Sequence, residues 1–364
     1  MLDLVATLPG HKADRVWHVA WSADGRYLAS CGEDREIRIY ETVVDMDKMQ
    51  IDDSVFSGVN TGMKKGGDDN NGWSNENCIK CIATLEDGQL RTIRSCEWSP
   101  NGKMIASASF DGTVVVWEAQ NNAKNRWDQV SSLEGHENEV KSVAWSSDSK
   151  WLATCGRDKR VWIWERLQDN EFECVSMLDG HSQDVKFVIW HPFYSVLYSA
   201  SYDDSIKVWG IDETDSSDDW RCVNTLTGHK STVWNLAINE SGNQLISCSD
   251  DCSIILWKYD GSKYGFGNWR QAAVLNNLHK LTIYSVTWSS HTGIIATGSG
   301  DNAITLNQIG DASIDGDGII LTTGRCEQAH SNDINCVRWN PAFQYQNILA
   351  SSGDDGLIKI WIYK

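Results

Sequence analysis

The sequence predicts an all-β chain whose seven four-stranded blades close into one β-propeller. Three landmarks held in register lead to this fold. An aspartate stands six residues before the end of a short apolar run at Asp34, Asp111, Asp158, Asp203, Asp251, Asp301 and Asp355. The runs close at Tyr40, Trp117, Trp164, Trp209, Trp257, Asn307 and Trp361. A histidine precedes the aspartate by 22 residues at His136, His181, His229 and His279, and Gln89 holds that register before Asp111. His11 and His330 stand slightly further off. Nine residues past each marker, ten past His11, comes a large apolar residue: Trp21, Trp98, Trp145, Trp190, Ile238, Trp288 or Trp339. A period of roughly 45–54 residues, interrupted once, suits a repeat of four strands.

The strands follow within each period. In the third repeat, Val140 to Trp145 alternates around Val143 and Trp145, and Trp151 to Cys155 follows a Ser-Asp-Ser turn. Arg160 to Trp164 is the next strand, and Phe172 to Leu178, like Trp220 to Leu226, is a more polar fourth. Runs rich in β-branched and aromatic residues, bounded by turn residues, are strand signals. The last repeat stops after its third strand, so Leu2 to Leu8 is expected to supply the missing one and close the ring.

Composition narrows the class. The length of 364 residues alone suggests two or three domains, but the repeat makes residues 1–364 a single domain. No run of about 18 apolar residues is available to cross a bilayer. The N-terminus lacks the basic start and apolar stretch of a secretory signal, so the expected compartment is the cytosol. About thirty extra residues separate Tyr40 from Trp117, and Val43 to Asn77 (43–77), rich in Asp, Asn, Gly and Ser, is expected to be a mobile acidic loop after the third strand of blade one.

The eleven cysteines are mostly locked to the repeat. Cys81, Cys174 and Cys222 lie four residues before a repeat leucine, and Cys31, Cys155 and Cys248 lie three before the repeat aspartate. They are expected to be buried packing residues. Cys78-x-x-Cys81 looks like half a zinc site without a second pair, and metal binding or redox sensitivity is the competing reading.

This pattern resembles the WD-repeat β-propeller family over essentially the whole chain. The resemblance implies a buried hydrogen-bonded set of histidine, strand hydroxyl, turn aspartate and closing tryptophan, here His136, Ser142, Asp158 and Trp164. Burial explains why these polar groups need one another. A His–Asp–Ser trio also occurs in hydrolases, but here it recurs as scaffold with no nucleophile motif. Blade two lacks the histidine and blade six ends in Asn307, so both should be less rigid. No Gly-rich phosphate loop, HExxH or paired zinc motif is present, so neither catalytic residues nor a cofactor is expected.

Surfaces must then carry the function. Acidic residues concentrate in loops after third strands, on the bottom face: Asp45, Asp47, Asp52, Asp53, Asp68, Asp69 and Glu76 in the insertion, Asp212, Glu213, Asp215, Asp218 and Asp219 after blade four, and Asp311, Asp315 and Asp317 after blade six. These are read as solvated, repulsive loops on a chain of net charge −18. The top is different. Arg15, Trp17, Arg94, Phe110, Lys141, Arg157, Lys186, Tyr202, Trp234 and Tyr284 should ring the channel entrance. Cations beside aromatics suggest a site for an anionic peptide or a terminal carboxylate. Pairing with Glu33, Glu139 and Asp184 into a plain charged rim is the alternative. The acidic balance disfavours nucleic acid.

Several strings go beyond the generic repeat. Glu134 to Trp145, Leu152 to Glu165, His181 to Lys186, Ile189 to Pro192, Ser201 to Asp204, Asp218 to Val223 and Gly228 to Trp234 are similar to the propeller subunit of cytosolic iron–sulfur protein assembly. That resemblance implies a non-enzymatic docking subunit, cytoplasmic and also nuclear. It implies a HEAT-repeat scaffold, a small partner protein, an iron-only-hydrogenase-like carrier and client apoproteins as partners. It also points to Arg157, beside Asp158, as a working top-face arginine. The insertion is outside the pattern. A substrate receptor of a ubiquitin ligase or chromatin complex is the alternative, and a propeller enzyme a third reading.

Overall fold

The computed structural model describes residues 1–11, 15–42, 79–120, 123–211, 219–261, 268–310 and 319–364. Among them lie seven four-stranded sheets, each antiparallel. In blade three the strands are Val140–Trp145, Trp151–Gly156, Val161–Arg166 and Phe172–Leu178, in that order from the channel outward. The other blades repeat this plan, first strands packing on first strands around the axis.

The blades are held by what lies between them. One apolar cluster joins Met104, Val114 and Val116 of blade two to Val140, Trp145 and Trp162 of blade three, and the other interfaces are built alike. Alternation along each strand sends apolar residues to both faces, so every blade is sandwiched between its neighbours. The inner tryptophans add polar staples across the seams. Trp98 Nε1 donates to the Ala20 carbonyl at 3.1 Å, Trp145 to Glu97 at 3.2 Å and Trp190 to Ala144 at 3.0 Å.

Ring closure uses the N-terminus. Leu2–Pro9 pairs antiparallel with Leu357–Tyr363, setting Leu2 opposite Tyr363 and Leu8 opposite Ile358. The first and last blades also meet at the axis, where Trp21 Nε1 donates to the Arg338 carbonyl at 3.2 Å and Asn335 Nδ2 to Val16 at 3.1 Å.

Residues 43–78, with Cys78, lie outside the described residues, as do all the acidic bottom-loop residues named above except the exposed Asp219. The cysteine expectation needs correcting. Cys31, Cys155 and Cys248 are fully buried, but Cys81, Cys174 and Cys222 are exposed on fourth strands. A fourth strand is the outer edge of its blade, so one of its faces meets solvent. No helix among the described residues is long and apolar enough to cross a membrane.

Candidate partner-docking site

The top face is assembled by the buried histidine sets. His136 Nδ1 donates to Asp158 at 2.7 Å, tying the turn before the first strand to the turn between the second and third strands. The Thr154 hydroxyl donates to His136 Nε2 at 2.8 Å and accepts from Trp164 Nε1 at 3.0 Å. Thr154 therefore holds the place expected of Ser142. Ser142 sits at the β-bulge of its strand, and its hydroxyl accepts the Val188 N–H of the next blade at 3.4 Å. Ser199, Ser247 and Ser351 repeat the Thr154 role in blades four, five and seven. In blade two Gln89 substitutes, accepting from Ser107 and donating to two carbonyls, while the buried Trp117 Nε1 has no partner among the described residues. In blade six Asn307 joins a threonine chain through Thr305 and Thr322.

Above this scaffold the second residue of each first strand points into the channel mouth. A recess of about 270 Å³ opens there, lined by Arg15, Trp17, Arg94, Phe110, Lys141, Lys186, Trp234 and Tyr284 together with Asp333, Asn335 and Asp354. Eight of the ten rim residues named from the sequence thus meet in one place. The other two lie beside it. The Tyr202 ring lies 5.1 Å from Lys186 Nζ, and Arg157 forms an ion pair with Glu139 at 3.3 Å outside the recess.

The electrostatics of the recess are lopsided. Arg94 lies over Trp17 at 4.8 Å, Lys141 over Phe110 at 4.0 Å, and Lys186 over Trp234 at 5.1 Å. Such cation–π contacts stabilise a charge without consuming its hydrogen-bond donors. Lys186 also meets Asp184 at 3.4 Å, but among the described residues neither Arg94 nor Lys141 forms an ion pair. Burial pushes the Lys141 ammonium down to about 8, against the pull of Glu139, and burial lowers Arg94 too. The indole nitrogens of Trp17 and Trp234 are buried there without an acceptor among the described residues. On the opposite wall Asp354 is engaged by Arg15 at 3.3 Å and Asn335 at 2.7 Å. Unused donors and cations converging in a recess suit an anion.

Sequence reasoning missed Asp333, Asn335 and Asp354. Asn335 holds the same second position in its strand as Lys141, and Asp354 directly precedes the repeat aspartate as Arg157 does. Among the described residues no cluster of three or more His, Cys, Asp or Glu side chains could hold a metal ion.

The WD domain, G-beta repeat family matches residues 2–41, 79–118, 127–165, 172–210, 220–258, 273–306 and 313–361. The chain is 44% identical to Protein CIA1 of Arabidopsis thaliana, covering 98% of this chain and 95% of that protein. It is 41% identical to the probable cytosolic iron-sulfur protein assembly protein CIAO1 homolog of Chlamydomonas reinhardtii, with 99% and 98% covered. The Caenorhabditis elegans protein of the same description is 36% identical over 97% and 96%. The chain belongs to the WD40-repeat family and, within it, to the CIAO1 group of cytosolic iron–sulfur protein assembly proteins.

Proposed function

We propose that this chain is a non-catalytic adaptor in cytosolic iron–sulfur protein assembly, and that its upper recess docks an anionic segment of a partner or client apoprotein. One observation carries the docking reading: Arg94 and Lys141 rest on aromatic faces with no ion pair among the described residues, beside two indole N–H groups without acceptors. An incoming carboxylate would meet cations already desolvated and held in place, so little ordering is needed on binding. Arg157 extends this positive surface on the rim, where the long-range field of the cations steers acidic partners.

The partners expected are a HEAT-repeat scaffold, a small partner protein, an iron-only-hydrogenase-like carrier and iron–sulfur apoproteins, met in the cytosol and the nucleus. The cluster is cargo of that complex. Affinity capture from cytosol with quantitative mass spectrometry tests the adaptor role. Recovery of assembly factors and iron–sulfur apoproteins supports it, whereas recovery of ubiquitin-ligase or histone-complex subunits in their place would replace it with the substrate-receptor reading.

A further inference from the structure

We propose that the lower half of the channel is a second, separate binding site that takes a small apolar zwitterion, an α-amino acid with an apolar side chain. Its carboxylate would sit on Arg338, its ammonium on Glu97, and its side chain against the apolar wall. The chamber measures about 360 Å³ and opens at the bottom between the turns that carry Pro100, Ser147 and Pro192.

The room comes from one strand position. The fifth residue of each first strand faces the lower channel, and Ala144 and Ala237 at that position leave space. The charged residues at that position are Glu97 and Arg338, on the two blades flanking blade one. They have opposite sign and form no ion pair within 4 Å. A molecule bearing both charges would complete each of them.

Arg338 is fixed in advance. Its Nη2 donates to His18 Nε2 at 3.0 Å, His18 Nδ1 donates to the Cys96 carbonyl at 3.0 Å, and the guanidinium lies 5.6 Å from the Phe187 ring centroid. Burial, then Arg338 and Arg94, hold the His18 imidazole well below its usual range, so it is the neutral acceptor this bond requires. Its Nη1 also donates to the Val337 carbonyl at 3.4 Å, and the other guanidinium N–H groups are left for a carboxylate. Glu97 is pushed up to about 7 by burial, with Arg338 opposing, so an ammonium beside it would favour its ionised form.

Isothermal titration of the full chain with L-leucine and L-phenylalanine tests this, with isocaproate and isoamylamine as single-charge analogues. Saturable binding of the amino acids is expected, with each analogue weaker by about tenfold or more. Affinity should rise as pH passes about 7, where Glu97 ionises facing Arg338. Glu97→Gln and the chamber-filling Ala144→Leu, each checked for a cooperative melt, should lose binding by about tenfold or more. Lys141→Gln in the upper recess should leave it unchanged. No saturable binding of either amino acid, analogues binding equally well, or full binding by folded Glu97→Gln would each overturn the proposal.

Discussion

Each blade-turn aspartate works as an anion, because its partners are N–H and O–H donors. Desolvation alone would raise these carboxyls. In Asp203, Asp251, Asp301 and Asp355 the histidine N–H, with neighbouring backbone donors, outweighs it and holds the group below the usual range, at about 2 for Asp355. A depressed folded-state pKa adds stability that is complete above the unfolded value near ~4 and lost as pH falls toward the folded value. Urea midpoints should therefore drop steeply as pH is lowered from about 4 toward about 2; a flat profile there would contradict the assignment. Within one set, Asp158→Ala strands His136 Nδ1 and should cost about 1–3 kcal/mol, while Ser142→Ala should cost about 1 kcal/mol or less. Equal losses in denaturant titrations would contradict the exchange of Ser142 for Thr154. The true hydroxyl left a trace in the chain: Ser30, Ser107, Thr154, Ser199, Ser247, Thr297 and Ser351 each stand four residues before a repeat aspartate. Ser142 misled because it lies on the neighbouring strand, and only the bulge decides where it points.

Strands and their order were readable from periodicity, since a period of two and the turn residues repeat in every blade. The closing strand Leu2–Pro9 was readable for a related reason: the last blade otherwise ends with an open edge. Seams were harder to foresee. Inner tryptophans mark the end of six first strands, yet the indole bonds of Trp21, Trp98, Trp145 and Trp190 reach carbonyls in the preceding blade, far away in sequence. Exposure of Cys81, Cys174 and Cys222 was hidden for the same reason, because register identifies a strand without saying which face is covered. Blade two provides a test at this scale. Gln89→His should bond Asp111 and Ser107 as His136 bonds Asp158 and Thr154, freeing the Ser107 hydroxyl to accept from Trp117 Nε1. The expected gain is about 1 kcal/mol, read as a higher melting temperature and slower amide exchange in residues 93–119. A destabilised variant would show that glutamine is the better fit there.

Over the whole molecule, the propeller turns one strand position into one place in space. That is why eight dispersed residues of the sequence could be assigned to the upper recess before any coordinates. The acidic wall lay within reach of the same register, since Asp354 stands where Arg157 does and Asp333, like Glu139, directly precedes a first strand. The rim alternative holds in part, with Arg157 meeting Glu139 and Lys186 meeting Asp184, while Arg94 and Lys141 form no ion pair among the described residues. An exposed pair such as Arg157–Glu139 contributes little to stability, so reversing Arg157 should spare the fold. On the function proposed above, this top surface docks partners for iron–sulfur maturation. The direct measurement is the activity of cytosolic iron–sulfur enzymes in cells whose only copy carries Lys141→Gln with Arg157→Glu, alongside the level and melting of the variant protein. A normal melt and abundance with enzyme activity reduced several-fold is the expected outcome. Unchanged activity from the folded, normally abundant variant would contradict it.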